Sequence, residues 1–219
     1  MASRIRVIPL GCHEGFFHPD EHDGRPMLER LGLCPHRYIA ALARPNPRKN
    51  MGRLAEAFGM LRRQKAFSEL QLVLVVSSKF HRQIREELAR QPPDLSGVVF
   101  ASNMSDEDLA YLYSRAALFA YVSLYEGFGL PPLEAMAAGC PVVASNATSV
   151  PEVVGDAGLY VDPLDTESIA SAMAEMLSDE GLRQRMIEKG KAQASAFTWA
   201  HTFERTVAFY RELAQAART

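Results

Sequence analysis

The chain has 219 residues and a formal net charge of −2, with 47% hydrophobic and 23% charged residues. That is the balance of a soluble globular protein long enough to bury its own core, and it gives no broad electrostatic case for nucleic acid or an acidic bilayer. No apolar run approaches the ~18 residues of a membrane span, and no apolar signal core follows Met1–Arg6. Three cysteines, Cys12, Cys34 and Cys140, show neither metal spacing nor a paired framework, which suits a reducing compartment.

Residues 1 to about 36 differ from the rest of the chain. The stretch from Cys12 to Gly24 is polar, rich in turn formers and without periodicity, and reads as a linker or peripheral loop. From Tyr38 onward, strands and helices alternate. Tyr38–Ala43 is a short apolar run, and Asn50 reads as the cap of a helix with Leu54, Phe58 and Leu61 on one face. A buried strand is predicted over Leu70–Val76, a polar helix over Lys79–Arg90 and a third strand over Val98–Phe100. Ser105 and Asp108 then start a helix lined by Leu109, Leu112 and Ala116. A strand at 117–123 leads into a turn and a helix ending at Gly139. Beyond it lie a strand at Pro141–Ser145, a short helix at Val150–Val154 and a strand at Gly158–Val161. Helices over Thr166–Leu177, 179–192 and 198–217 complete the chain. Buried strands separated by helices predict a parallel sheet covered on both faces, with ligands at the carboxyl ends of its strands.

Two segments at such ends carry chemistry. In Glu126-Gly127-Phe128-Gly129-Leu130-Pro131-Pro132-Leu133-Glu134, two carboxylates bracket a glycine-containing turn, and the prolines suit the first turn of a helix. Free amides at Gly129 and Leu130 beside a helix N-terminus favour an anion. Neither Gly127 nor Gly129 has a Cβ to hold a ligand away. Glu126 and Glu134 are acceptors, suited to hydroxyls on either side of a phosphate, a description that fits a nucleotide sugar. The second segment is Arg44-Pro45-Asn46-Pro47-Arg48-Lys49-Asn50, where three cations precede a helix N-terminus. That is the unfavourable end of the dipole for them unless an anion is bound among them. Gly-rich dinucleotide and Walker signatures are both missing, which disfavours a dehydrogenase or a nucleotide hydrolase.

The nine-residue string resembles the E-x7-E signature of retaining glycosyltransferases with the GT-B fold, family 4 type. The likeness continues through Ala135–Ser145 and Pro151–Pro163 and covers roughly residues 5–215. It implies a Rossmann-like three-layer α/β/α domain with a parallel sheet, the carboxyl-terminal, donor-binding half of that fold. Residues 1–36 would be an interdomain linker, 37–197 the donor domain, and 198–219 a helix packing back toward an amino-terminal, acceptor-binding domain. That domain would come from a longer chain or a partner subunit.

By the same resemblance, Arg44, Lys49 and Glu126 take the catalytic roles. The two cations grip the donor diphosphate and Glu126 holds donor-sugar hydroxyls. Gly127, Phe128, Gly129 and Leu130 line the donor pocket, Glu134 holds the ribose, and Met104 lies where the base binds, though it is equally suited to a hydrophobic staple. No metal or other cofactor is expected. The donor would be a GDP- or UDP-hexose, with mannose favoured, and the acceptor a glycan or lipid-linked sugar. The implied location is cytoplasmic, including the inner face of the membrane for the full enzyme. Alternative readings are a non-catalytic nucleotide-sugar-binding subunit, or an epimerase or phosphorylase of the same fold. The chain departs from the family at Leu10, Ala43, Ser77-Ser78 and Val122; a methyl at Ala43 is expected to crowd the donor.

Overall fold

The computed structural model describes residues 5–89 and 95–216. Six strands form one parallel sheet: β1 (Tyr38–Ala43), β2 (Gln71–Val76), β3 (Val98–Ala101), β4 (Leu118–Tyr121), β5 (Val142–Ser145) and β6 (Gly158–Val161). Their spatial order is β3-β2-β1-β4-β5-β6. In register, Ile39 lies beside both Leu72 and Leu118, and Phe119 beside Val142. The central strands β4 and β5 are buried at every position, as a sheet covered on both faces requires, while β3 and β6 form the partly exposed edges.

Two apolar clusters sandwich the sheet. Helices α2 (Met51–Arg62), α3 (His81–Ala89) and α7 (Thr166–Ser178) pack on one face through Leu54, Phe58, Ile84 and Met173. The opposite face carries α4 (Asp106–Ser114), α5 (Leu130–Ala137) and α6 (Val150–Val154), packed through Leu112, Leu133 and Val153. The helix after β1 therefore leaves toward one face and the helix after β4 toward the other. Between these neighbouring strands the connections diverge, and a crevice opens at their carboxyl ends.

Part of the segment read as loop is folded. Residues Glu14–Phe17 form a 3₁₀ turn that buries Phe16, and α1 (Arg25–Leu31) buries Met27 and Leu28 against the α4 face. Turn formers around α1 hide it, yet it carries its own punctuation: a proline at its start and Gly32, with φ +66°, just past its end. Helices α8 (Glu180–Ser195) and α9 (Trp199–Ala216) close the chain. None of α9 is buried. The residue pair before it and the helix itself lie along residues 6–12, through a Cys12 amide bond to Phe197 O (2.8 Å), a Thr202 hydroxyl bond to Pro9 O (2.8 Å) and an Arg6–Glu212 pair at 2.6 Å. Gly11 permits the approach, since a Cβ there would lie 2.2 Å from the Trp199 nitrogen. No helix among the described residues is long and apolar enough to cross a membrane. Arg90 and residue 217, read as helix ends, lie outside the described residues.

Candidate functional site

The loops after β1 and β4 meet over the crevice. The Leu124 amide donates to Arg48 O at 2.7 Å, and the Lys49 ammonium donates to Glu126 Oε1 at 2.6 Å and to the Tyr121 hydroxyl at 3.3 Å. The same ammonium lies 5.1 Å from the Tyr121 ring centroid, a cation–π distance. Side-chain exposures of 19% for Lys49 and 16% for Glu126 put the pair in a poorly hydrated setting. Burial works to raise the Glu126 carboxyl, but Lys49, with the Ser123 and Tyr121 hydroxyls close by, outweighs it and holds the group below the usual carboxylate range. Arg44 stands exposed, with no side-chain partner among the described residues. Arg48 is exposed too, its guanidinium 5.8 Å from the Tyr125 ring centroid.

Asn50 joins these loops and is not the expected helix cap. It adopts a left-handed backbone (φ 58°) and makes no side-chain capping bond. Its carboxamide instead donates to Val122 O at 3.0 Å and Pro163 O at 2.6 Å and accepts from Arg53 at 3.1 Å. One buried side chain therefore pins the connections after β1, β4 and β6 to one another and fixes Lys49 beside them. Asparagine suits both demands, because it tolerates the left-handed region and carries two donors.

The signature turn opens α5 as expected, with proline in its first turn. The amides of Gly129 and Leu130 donate to no protein group among the described residues. The two glycines differ in their reasons. Space at Gly127 is open, so its bare backbone admits close approach. At Gly129 the expectation needs correcting: a Cβ would point to Pro132 and Val153, and glycine is required there by φ +120°. Phe128 turns inward, edge-on to Phe197 with ring centroids 6.0 Å apart. Met104 packs partly buried against the α4-side cluster. The Ala43 side chain is 1% exposed within the α2-side cluster, so its methyl faces the core and does not crowd the crevice.

Glu134 faces a different setting. It is half-buried, and its carboxyl makes no hydrogen bond among the described residues. Burial, and secondarily the Asp106 charge, push its carboxyl up to about 7. An unpaired carboxyl in such a place is an acceptor without a donor. Sequence reasoning missed Asn50 as a tie between loops, and it missed Tyr121, Thr148 and Ser149. Thr148 Oγ1 accepts from the Glu126 amide at 3.0 Å, and the Ser149 hydroxyl donates to Glu126 O at 3.1 Å. No local pattern announces contacts between residues so far apart along the chain. No group of three or more His, Cys, Asp or Glu side chains among the described residues could hold a metal.

An open parallel sheet with this strand order, with cations and free amides beside the crevice at its switch point, defines a doubly wound, Rossmann-like α/β domain. The chain belongs to the family of glycosyl transferases group 1, whose pattern matches residues 35–193. O-antigen chain mannosyltransferase B of Escherichia coli is 35% identical over 212 residues, covering 97% of this chain and 55% of that protein. An MMP alpha-(1->4)-mannosyltransferase of Mycolicibacterium hassiacum is 33% identical over 95% of this chain and 48% of its own length. Among solved structures, sucrose-phosphate synthase of Thermosynechococcus elongatus superposes with a TM-score of 0.80 at 29% identity, over 96% of this chain and 53% of that one. The chain thus spans about half the length of the curated relatives it matches.

Proposed function

We propose that this chain is the donor-binding half of a retaining glycosyltransferase that moves a hexose, mannose in the favoured case, from a nucleoside diphosphate sugar to a glycan or lipid-linked acceptor. One observation carries the reading. The loops holding Lys49 and Glu126 are in direct contact at the switch point, beside the free amides of Gly129 and Leu130. Arg44, Lys49 and those amides neutralise the diphosphate as the bond from the sugar C1 to the phosphate oxygen breaks, the electrostatic contribution that dominates such sites. The new C1–oxygen bond forms to the acceptor hydroxyl, whose proton leaves with the diphosphate. Glu126 holds the sugar hydroxyls, Glu134 the ribose diol, and Gly127 and Phe128 border the sugar, with the base near Met104. The grip consists of protein cations and amides, and a metal ion is no part of the proposal.

The acceptor side comes from an amino-terminal domain or a partner subunit, which brings the two substrates together and excludes water. A cytoplasmic place, at the inner face of the membrane for the full enzyme, goes with this reading. Mannose is favoured because two relatives of high similarity carry mannosyltransferase names.

Calorimetry with GDP-mannose, a UDP-hexose and the matching nucleosides tests the proposal. Binding of one diphosphate sugar is expected. Arg44→Ala should weaken that sugar about tenfold, leave the nucleoside unchanged, and alter stability by less than about 0.5 kcal/mol, as for an exposed side chain without partners. Equal losses for nucleoside and diphosphate sugar would remove the phosphate role.

A further inference from the structure

The connection from β5 to α6 breaks two local rules in succession, and both exceptions end on one residue. Thr148 sits at φ +52°. A left-handed backbone is costly for a β-branched residue and persists only where surrounding structure imposes it. Ser149 occupies the N-cap position of α6, where a serine hydroxyl ordinarily accepts from its own helix, yet it makes no capping bond. Both hydroxyls are directed elsewhere. Thr148 Oγ1 accepts from the Glu126 amide at 3.0 Å, and Ser149 Oγ donates to the Glu126 carbonyl at 3.1 Å. The backbone donor and acceptor of residue 126 are therefore held from the neighbouring connection by two adjacent side chains, one taking and one giving a hydrogen bond.

Between them, these hydroxyls fix the backbone of Glu126 at the start of the turn through Gly127. Its carboxylate is fixed at the other end by Lys49 at 2.6 Å. The strain at Thr148 has no visible local purpose. Its compensation is the fixed position of a carboxylate on the neighbouring connection, the pattern expected where a site is built at the expense of local comfort.

We propose that Thr148 and Ser149 are positioning residues, a two-hydroxyl clamp that holds Glu126 where it meets the sugar of the donor. The role rests on the donor-binding reading, whereas the clamp itself can be observed without any ligand. The series Thr148→Ser, Thr148→Ala and Thr148→Gly separates hydroxyl from backbone. Serine keeps the hydroxyl, alanine removes it, and glycine removes it while relieving the left-handed strain.

In the ligand-free chain, the Glu126 amide should exchange with solvent at the wild-type rate in Thr148→Ser and at least about tenfold faster in Thr148→Ala and Thr148→Gly. Thr148→Gly should melt at a higher temperature than Thr148→Ala. Affinity for GDP-mannose, or for the UDP-hexose if that is the sugar bound, should fall about tenfold in both Ala and Gly variants and hold in Ser. Affinity for the corresponding sugar-free diphosphate should change far less. A glycine variant that recovers sugar affinity along with its melting temperature would overturn the clamp, as would equal losses for sugar and sugar-free diphosphate. Unchanged exchange at Glu126 overturns it without reference to any donor. A wild-type chain that binds no diphosphate sugar would defeat the donor reading, and the exchange series would then decide the clamp by itself.

Discussion

Glu126 and Glu134 bracket the same turn, yet the fold treats them in opposite ways. The first lies against a lysine and below a clamp of hydroxyls, and its carboxyl is held acidic. The second lies a helical turn into α5, half-buried, its carboxyl without a hydrogen-bond partner among the described residues and lifted to about 7. The residue type is identical and both are half-buried, Glu134 the more deeply. What separates them is partners: Glu126 has a cation from a neighbouring strand's loop and two hydroxyls, and Glu134 has none. Protonation at this site is therefore decided by tertiary pairing, and a motif written as two glutamates conceals two different chemical groups.

The sharpest way to break this contrast is to remove the cation. Lys49→Met leaves the Glu126 carboxylate sheltered and unpaired, and is expected to cost about 2–3 kcal/mol in denaturant unfolding. Combining Lys49→Met with Glu126→Gln should restore most of that loss while diphosphate binding stays weak. Equal destabilisation in the single and double variants would mean that the pair contributes nothing to the setting of Glu126.

A change one residue along should act on the same end of the turn more gently. Asn50→Asp keeps a residue that tolerates the left-handed backbone but sets a carboxylate against the carbonyls of Val122 and Pro163, where two donors now stand. A loss of about 2 kcal/mol is expected from the unpaired acceptors. Nucleoside affinity should survive better than diphosphate affinity, because the displaced loop carries Lys49. Unfolding curves and calorimetry on one preparation check both.

The smallest effect concerns the other glutamate and depends on pH. A carboxyl raised on folding contributes stability that is fully present below its unfolded value, near 4.5, and is lost as pH rises through about 7. Glu134→Gln removes that dependence. The variant should exceed wild type by on the order of 1–2 kcal/mol at pH 8, and the advantage should shrink as pH is lowered toward 5. Melting temperatures across that range give the answer. A constant difference would place Glu134 among ordinary solvated carboxylates and end the comparison.

Much of this arrangement can be read in the sequence. The strands from β1 to β6 announce themselves as short apolar runs, and the prolines at 131 and 132 mark the start of α5, because both signals depend on neighbours along the chain. Lys49 and Glu126 were legible as candidates from their loops. Their direct contact was not, since it depends on the order in which strands lie side by side. The same holds for Asn50, whose position before a helix suggests a cap while its partners lie on two other connections. Thr148 and Ser149 carry no sequence signal of their own, and only the Thr148 backbone angle and the distant residue they hold reveal them. The short helix α1 was hidden for another reason: its proline and glycine punctuation sits inside a stretch crowded with other turn formers.

The cysteines lead to a practical outcome. Burial pushes the Cys12 thiol up to about 12 and that of Cys140 still higher, so neither offers a nucleophilic sulfur at neutral pH. Cys34 is exposed and lies just before β1, at the amino end of the sheet and away from the crevice. A maleimide fluorophore would attach there at one place per molecule without engineering, giving an optical reporter remote enough to leave ligand contacts undisturbed.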